Sequence, residues 1–254
     1  NNLRILKQFN GCCFADLDLK QQGVIEDFQL LFYIIQPPTP ERVKYDIFDR
    51  VNRGGTPLNK QEMRNALYRG RCTRMLDKLC CSPEFLIATG RSINKERMKD
   101  QYVVLRAMAF LMLHRGEFKD IPALQYRGDI DDFLARFMVY VNDNAPEKLI
   151  VDYENLFIRC MQISYDLLGE NGFRFSGNGI RRPINMPLFE ALSYLFSFVP
   201  EKIDYTWVSR LILDIESVKE EFDDSRYFSG NIDSTTSVSF RFDRMDKIIN
   251  RIQL

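Results

Sequence analysis

The segment at residues 45–70 constrains the fold more than any other part of the chain, because it predicts two helices joined by a glycine loop. Residues 39–41, Thr-Pro-Glu, are typical of a helix start, with a capping hydroxyl, a proline at the first helical position and an acid at the positive end. Residues 52–55 end this helix, since their two adjacent glycines permit positive φ. Asn59 and Glu62 have the spacing of a capping box, which predicts the start of the second helix.

The polar residues around this loop are candidate ligand-binding groups, because they have no place in the apolar stripe of either helix. Arginines beside exposed glycine amides suit a phosphate or another anion. The alternative is a well-capped helical hairpin with solvated arginines, since a short glycine loop alone is a weak motif. The candidate residues are Arg50, Asn52, Arg53, Gly54, Gly55, Gln61, Glu62, Arg64 and Asn65.

Composition limits the classes of protein to which this chain can belong. Of its 254 residues, 45% are hydrophobic and 13% aromatic, which argues for a packed core and against disorder. Lysine plus arginine equals aspartate plus glutamate at 35 each, so any DNA contact needs a local basic patch. Six cysteines without a Cys-x-x-Cys pair, beside one histidine, predict no zinc site and indicate a cytoplasmic location. The longest apolar run, at residues 107–113, is too short to span a bilayer.

The hydrophobic pattern predicts a mainly α fold, a multi-helix bundle with a small β remnant near residues 28–36. These residues form an aromatic and β-branched run bounded by prolines, which predicts a buried strand. A lone strand needs a sheet, so we expect its partners to lie upstream. Residues 95–113 predict the central helix, because they are apolar on nearly every side from Tyr102 onward. Amphipathic helices are predicted at residues 131–142, 147–168, 187–198, 207–222 and 238–252.

A second irregular segment, at residues 169–185, is a further candidate site. Its four glycines let the backbone approach a ligand, and Arg174, Arg181 and Arg182 supply positive charge. The alternative is a long surface loop before a helix capped by Asn185.

Three other groups of charged residues are predicted to be structural. His114 ends the central helix as a cation at its negative pole, and would be isolated as a catalytic base. The acids at residues 129–132 are predicted to cap a helix rather than to bind a metal. Arg241, Arg244 and Arg251 alternate with acids on the last helix, which is typical of a solvated face.

The helical hairpin also carries a family resemblance. Residues 47–68 read IFDRVNRGGTPLNKQEMRNALY, and this run is similar to the second signature of the N-terminal domain of GmrSD-type, modification-dependent restriction enzymes. Weaker similarity extends through the helical remainder, including residues 181–185 and the final segment at residues 234–254. The resemblance implies a prokaryotic DNA-defence protein with a ParB/sulfiredoxin-like α/β domain. That domain carries an Asp-Gly-Gln-Gln-Arg motif implicated in nucleotide binding and hydrolysis.

That motif does not occur in this chain, which begins without a methionine. We therefore expect residues 1–38 to be the end of a truncated α/β domain and residues 39–254 to be a helical domain. A nucleotide and Mg²⁺ are then implied as cofactors of the intact protein only, and no catalytic residue is assigned in this chain.

Two functions are consistent with the sequence. In the first, the resemblance implies that the helical part completes a nucleotide or phosphate site with the missing domain. Arginines would hold phosphate oxygens, Gln61 and Asn65 would position a base, sugar or water, and Glu62 would be a cap or an acid–base group. Its implied partners are that domain or a nuclease subunit, with DNA bound by the intact protein and no membrane. In the second, the chain is a non-catalytic helical scaffold, an interaction or dimerisation module.

Overall fold

A computed structural model of the chain describes residues 5–32, 34, 36, 41–52, 57–177, 181–200, 205–225, 227–228 and 230–252. Eleven α-helices lie in this described part of the chain, so the predicted mainly α, multi-helix fold is confirmed. They are α1 (Leu19–Glu26), α2 (Glu41–Asn52), α3 (Lys60–Leu67), α4 (Arg71–Cys80), α5 (Pro83–Ala88), α6 (Lys99–His114), α7 (Ile130–Asp143), α8 (Glu147–Leu168), α9 (Met186–Phe196), α10 (Tyr205–Asp223) and α11 (Thr235–Ile252).

The strand predicted near residues 28–36 is not formed at residues 28–32, 34 or 36, which are the described members of that range. The physical reason is that no other strand occurs among the described residues, so the segment has no neighbour to complete a ladder. Its apolar side chains are left in solvent, as Leu31 (79% exposed) and Ile34 (80% exposed) illustrate.

The chain divides into two compact units, Asn1–Ile47 and Phe48–Leu254. The boundary predicted between residues 38 and 39 falls at residues 37–40, outside the described part. In the first unit, α1 begins with a capping box in which Asp18 Oδ1 accepts from the backbone N–H of Gln21 at 2.8 Å. None of the side chains described in this unit is fully buried, so apolar packing contributes little to its stability.

The second unit is organised around α6. Every residue from 103 to 112 is buried, as the predicted central helix requires. This helix contacts α3, α4, α7, α8 and α9, while α5 packs on α8 and α11 packs on α9 and α10. Burying each large apolar side chain contributes about 1.5–3 kcal/mol, so α6 contributes strongly to hydrophobic stabilisation.

The start of α6 differs from the prediction. The helix begins at Lys99 rather than at residue 95, because Arg97 (φ 56°) and Met98 (φ 58°) adopt left-handed backbone conformations that interrupt the helical path. The predicted cap of α9 is confirmed, since the backbone N–H of Leu188 donates to Asn185 Oδ1 at 2.9 Å.

None of the helices in the described residues combines the length and the apolarity needed to cross a bilayer.

Candidate functional site

The polar residues of α3 line a cavity of about 520 Å³, which we call the α3 cavity. Its wall carries four cationic and two acidic side chains, together with amides and one tyrosine. The lining residues are Asn59, Lys60, Gln61, Arg64, Asn94, Glu96, Arg97, Lys99, Tyr102 and Asp131.

The cavity is positioned by the start of α3. Asn59 Oδ1 accepts from the backbone N–H groups of Gln61 at 2.8 Å and Glu62 at 2.9 Å. Glu62 Oε2 in turn accepts from the backbone N–H of Asn59 at 2.6 Å, which confirms the predicted capping box. The Asn59 Nδ2 group also donates to the Arg97 carbonyl at 2.7 Å, so this cap joins α3 to the segment before α6.

Each of the three guanidinium nitrogens of Arg64 donates to a protein partner. Its Nη1 donates to Asp131 Oδ1 at 2.8 Å, and its Nε and Nη2 donate to Gln61 Oε1 at 3.1 and 3.0 Å. The guanidinium carbon lies 5.3 Å from the Tyr102 ring centroid, and only 1% of the side chain is exposed. Arg64 therefore shapes the cavity wall, and its cost of desolvation is offset by these contacts.

Asp131 is the carboxylate that neutralises positive charge contributed to the cavity wall by α3. It accepts from both Lys60 and Arg64. Burial raises the pKa of Asp131, but the hydrogen bonds from the two cations outweigh burial and hold it below its ordinary value. The acids at residues 129–132 thus have different roles. Asp129 caps α7 by accepting from the backbone N–H groups of Asp131 and Asp132, whereas the Asp131 side chain pairs with the two cations.

A chain of amides runs from α3 to α4. Gln61 Nε2 donates to Asn65 Oδ1 at 2.8 Å, Asn65 Nδ2 donates to Gln101 Oε1, and Gln101 Nε2 donates to Asp77 Oδ1 at 2.7 Å. Gln61 and Asn65 are therefore held in fixed orientations, which is a condition for positioning a ligand group.

Glu62 forms an ion pair with Arg97, whose Nη2 lies 3.1 Å from Glu62 Oε2. The hydrogen bond from the backbone of Asn59 is the main reason that the pKa of Glu62 is lowered, and Arg97 adds to the shift. Capping α3 and pairing with Arg97 both require the ionised carboxylate of Glu62. This arrangement therefore favours a role for Glu62 as a helix cap rather than as a proton donor.

The remaining candidates of the helical hairpin precede α3 in the chain. Arg50 is exposed in the last turn of α2, and Asn52 is the last residue of that helix. Arg53, Gly54 and Gly55 lie outside the described residues.

Arg181 and Arg182 line a different cavity, of about 780 Å³, which we call the Arg174 cavity. It shares no lining residue with the α3 cavity, so the two predicted arginine sites are not brought together into one pocket. Its charged lining residues are Arg174, Arg181, Arg182, Lys219, Glu170 and Glu216.

Sequence reasoning missed a buried ionic network between α6, α9 and α11. Glu190 of α9 is 0% exposed and accepts from Arg106 of α6 and, at 3.1 Å, from Arg241 Nη2 of α11. Arg106 Nη2 also donates to Asp233 Oδ1 at 2.6 Å. The available signal was a charged residue inside an otherwise apolar helix, as at Arg106 and Glu190.

The solvated face predicted for the last helix is therefore wrong at Arg241, which is 0% exposed. Charge alternation along a helix cannot separate a surface arginine from one whose carboxylate lies on another helix. Burial lowers the pKa of Arg241, and Glu190 opposes this shift. At Arg244 and Arg251 the predicted setting is confirmed, since both pair with acids in partly exposed positions.

His114 ends α6 as predicted, but it is not a cation at neutral pH. Its ring stacks on Phe242 with centroids 3.5 Å apart and an interplanar angle of 8°. Its Nε2 is buried and has no hydrogen-bond partner among the described residues. Burial, with a smaller contribution from Arg241, lowers the pKa of His114 to about 3, so it is unsuited to act as a general base near neutrality.

Within the described part of the chain, no group of three histidine, cysteine, aspartate or glutamate side chains is arranged to hold a metal ion. Comparisons with protein-family models, with curated proteins and with solved structures find no match for this chain. The restriction-enzyme resemblance thus rests on the sequence run at residues 47–68, and it stays a prediction.

Replacing the cap of α3 tests how firmly the cavity is positioned. We expect Asn59→Ala to lower the free energy of unfolding by about 1–2 kcal/mol, because two backbone N–H groups lose their acceptor. Urea denaturation measures the change. The matched control is Asn155→Ala, an exposed position inside α8, where we expect a change within about 0.5 kcal/mol. Equal losses at the two positions would contradict a role for the cap.

Proposed function

We propose that this chain is the helical part of a prokaryotic DNA-defence protein of the modification-dependent restriction type. In this proposal the α3 cavity and the C-terminal end of α2 complete a nucleotide or phosphate site with a ParB/sulfiredoxin-like α/β domain. The intact protein would then use a nucleotide with Mg²⁺ and act on DNA, alone or with a nuclease subunit.

One observation carries the proposal. Gln61 and Arg64, which occupy positions of the family signature, line the same cavity as three other cations, Lys60, Arg97 and Lys99. Phosphate oxygens are recognised by such cations and by fixed amide donors. The excess of cations over acids in the wall therefore suits an anionic ligand.

The residues of the cavity wall would have different roles in binding the ligand. Each nitrogen of the Arg64 guanidinium donates to Asp131 or Gln61, so its part is to position the wall. Lys99 is exposed, and it is the side chain best placed to meet a phosphate group without losing a protein contact. Arg50, Asn52, Arg53, Gly54 and Gly55 would add charge and backbone donors from the hairpin loop.

The exposed apolar segment of the first unit supports an α/β partner. Phe28, Leu31 and Phe32 are each at least 70% exposed, in a run whose composition is that of a buried strand. A sheet that accepted this run as a strand would remove its apolar side chains from water and pair its backbone.

The proposal is tested by nucleotide turnover in the full-length gene product. We expect Gln61→Ala and Lys99→Gln each to lower kcat/KM for nucleotide hydrolysis by about tenfold or more, the loss expected for one charge-assisted or positioning contact. Lys148→Gln, on the far surface pair with Asp152, is the matched control and should leave turnover unchanged. Wild-type turnover in both cavity variants would remove the site assignment.

A second function, a non-catalytic interaction scaffold, is favoured by a different observation. Arg64, Asn65 and Glu62 all have partners within the chain, as residues kept for architecture would. If the cavity variants keep full turnover while Asn59→Ala destabilises the fold, the signature serves architecture and the scaffold function is retained.

A further inference from the structure

The Arg174 cavity is built where the end of α8, the segment at residues 169–177 and α10 meet. Its charged lining comprises four cations and two acids, and its apolar lining includes Leu167 and Leu168. A volume of about 780 Å³ falls in the range of pockets for small molecules.

Arg174 is a buried cation that forms no ion pair with a carboxylate among the described residues. It is 4% exposed. Its Nε donates to the Glu170 carbonyl at 3.1 Å, its Nη1 to the Arg182 carbonyl, and its Nη2 to the Thr89 carbonyl at 3.1 Å and to Ser92 Oγ. These acceptors are neutral, so the positive charge is held in place without a carboxylate in hydrogen-bond contact, and the Glu170 carboxylate offsets it only from a distance. Burial accordingly lowers the pKa of Arg174.

Lys219 adds a second buried charge from α10. Its side chain is 5% exposed, and its Nζ contacts Glu216 Oε1 at 2.9 Å and the Asn171 carbonyl at 3.3 Å. An ammonium group has three donor hydrogens, so one remains beyond these two contacts.

Arg181 and Arg182 stand at the more exposed edge of the cavity, each held by one acid. Arg181 Nη2 donates to Glu170 Oε2 at 2.6 Å, and Arg182 pairs with Asp223. Arg181 lies directly over Gly90, where a Cβ atom would overlap its Nη2. Each guanidinium has five donors, and the contacts described use only part of them.

We infer that the Arg174 cavity binds the phosphate group of a small phosphorylated molecule, whose remaining part packs on Leu167 and Leu168. The phosphate supplies the negative charge that Arg174 lacks, and it accepts from the unused donors of Lys219, Arg181 and Arg182. Glu170 and Glu216 compete for the same cations, so they set an upper limit on the affinity. This inference goes beyond the proposed function, because it concerns a separate cavity and requires no α/β domain.

The test is isothermal titration of this chain with inorganic phosphate, AMP and adenosine at fixed ionic strength. We expect AMP to bind more tightly than inorganic phosphate, and adenosine not to bind. Equal affinities for AMP and phosphate would overturn the packing of the ligand on Leu167 and Leu168 and would leave a site for the free phosphate ion. Tighter binding of adenosine than of phosphate would overturn the inference.

Substitutions in both directions make the test independent of folding defects. We expect Arg182→Gln to weaken AMP binding by about tenfold, and Glu216→Gln to strengthen it by about threefold or more, since a competing carboxylate is removed. Arg244→Gln removes an arginine of similar setting from α11 and should leave the affinity unchanged. If Glu216→Gln weakens binding, or if all three variants behave alike, the site is not the Arg174 cavity. Failure of the proposed function would appear only in turnover by the full-length protein, not in this titration.

Discussion

Replacing Glu190 by glutamine is expected to lower the free energy of unfolding by about 3–5 kcal/mol, because it leaves two buried arginines without their shared carboxylate. Arg106 would keep its contact with Asp233, but Arg241 would keep only the Ile232 carbonyl, which its Nη1 meets at 2.5 Å. Glutamine matches glutamate in shape, but its NH2 group would replace one carboxylate oxygen. The N–H donors of that group would then face the N–H donors of one of the two guanidinium groups. The loss is therefore electrostatic rather than a loss of packing.

Urea denaturation at neutral pH measures this effect, with Glu221→Gln as the matched control. Glu221 pairs with Arg244 at a partly exposed position, where an ion pair contributes about 0–1 kcal/mol. We expect the two losses to differ by at least about 2 kcal/mol. Similar losses would mean that the buried network contributes no more than a surface pair.

Acidification is expected to destabilise the protein through His114. The pKa of His114 is about 3 in the folded chain, against about 6.5 in an unfolded one. Above pH 6.5 both states are neutral at this residue and the contribution to pH dependence is nil. As the pH falls from 6.5 towards 3, only the unfolded state takes up the proton, so stability falls by about 1.4 kcal/mol per pH unit. By pH 4 the loss amounts to about 3 kcal/mol.

The variant His114→Phe isolates this effect from the titration of carboxylates, which is common to both proteins. The neighbours facing the imidazole are Phe242 and Arg241 of α11 and Tyr194 of α9, whose hydroxyl donates to Asp246 at 2.7 Å. Unfolding free energies of both proteins measured between pH 7.5 and pH 4 should diverge, with the variant flatter. Parallel curves would show that His114 takes up its proton equally in the folded and unfolded states.

The sequence was sufficient for the elements whose signals are local. Period-3.6 patterns located α7 and α8 to within one residue at each end, and the capping box of α3 followed from the spacing of Asn59 and Glu62. The strand at residues 28–36 was not formed in its described residues, because a strand depends on partners that composition cannot supply. The observed start of α6 differs from the predicted one because two non-glycine residues before it adopt left-handed backbone conformations. The pattern of apolar side chains does not encode such conformations.

The candidate site was harder to predict, since its contacts join distant parts of the chain. The polar pattern around the hairpin loop singles out Gln61 and Arg64, but it predicts only a helix cap at Asp131, which pairs with Arg64 from 67 positions away. Charge alternation predicts a solvated Arg241, because its partner Glu190 lies on another helix. Periodicity reports which face of a helix is apolar, and it carries no information on which charges meet across the core.

One aromatic ring ties the surface cavity to the core. The guanidinium carbons of Arg64 and Arg106 lie 5.3 and 5.6 Å from the centroid of Tyr102, and Arg106 Nη1 also donates to the tyrosine hydroxyl at 3.1 Å. The two arginines belong to different ionic networks, but both contact the ring of Tyr102. A substitution at position 64, 102 or 106 therefore changes the surroundings of the other two side chains, so its effect on stability depends on which residues occupy those positions.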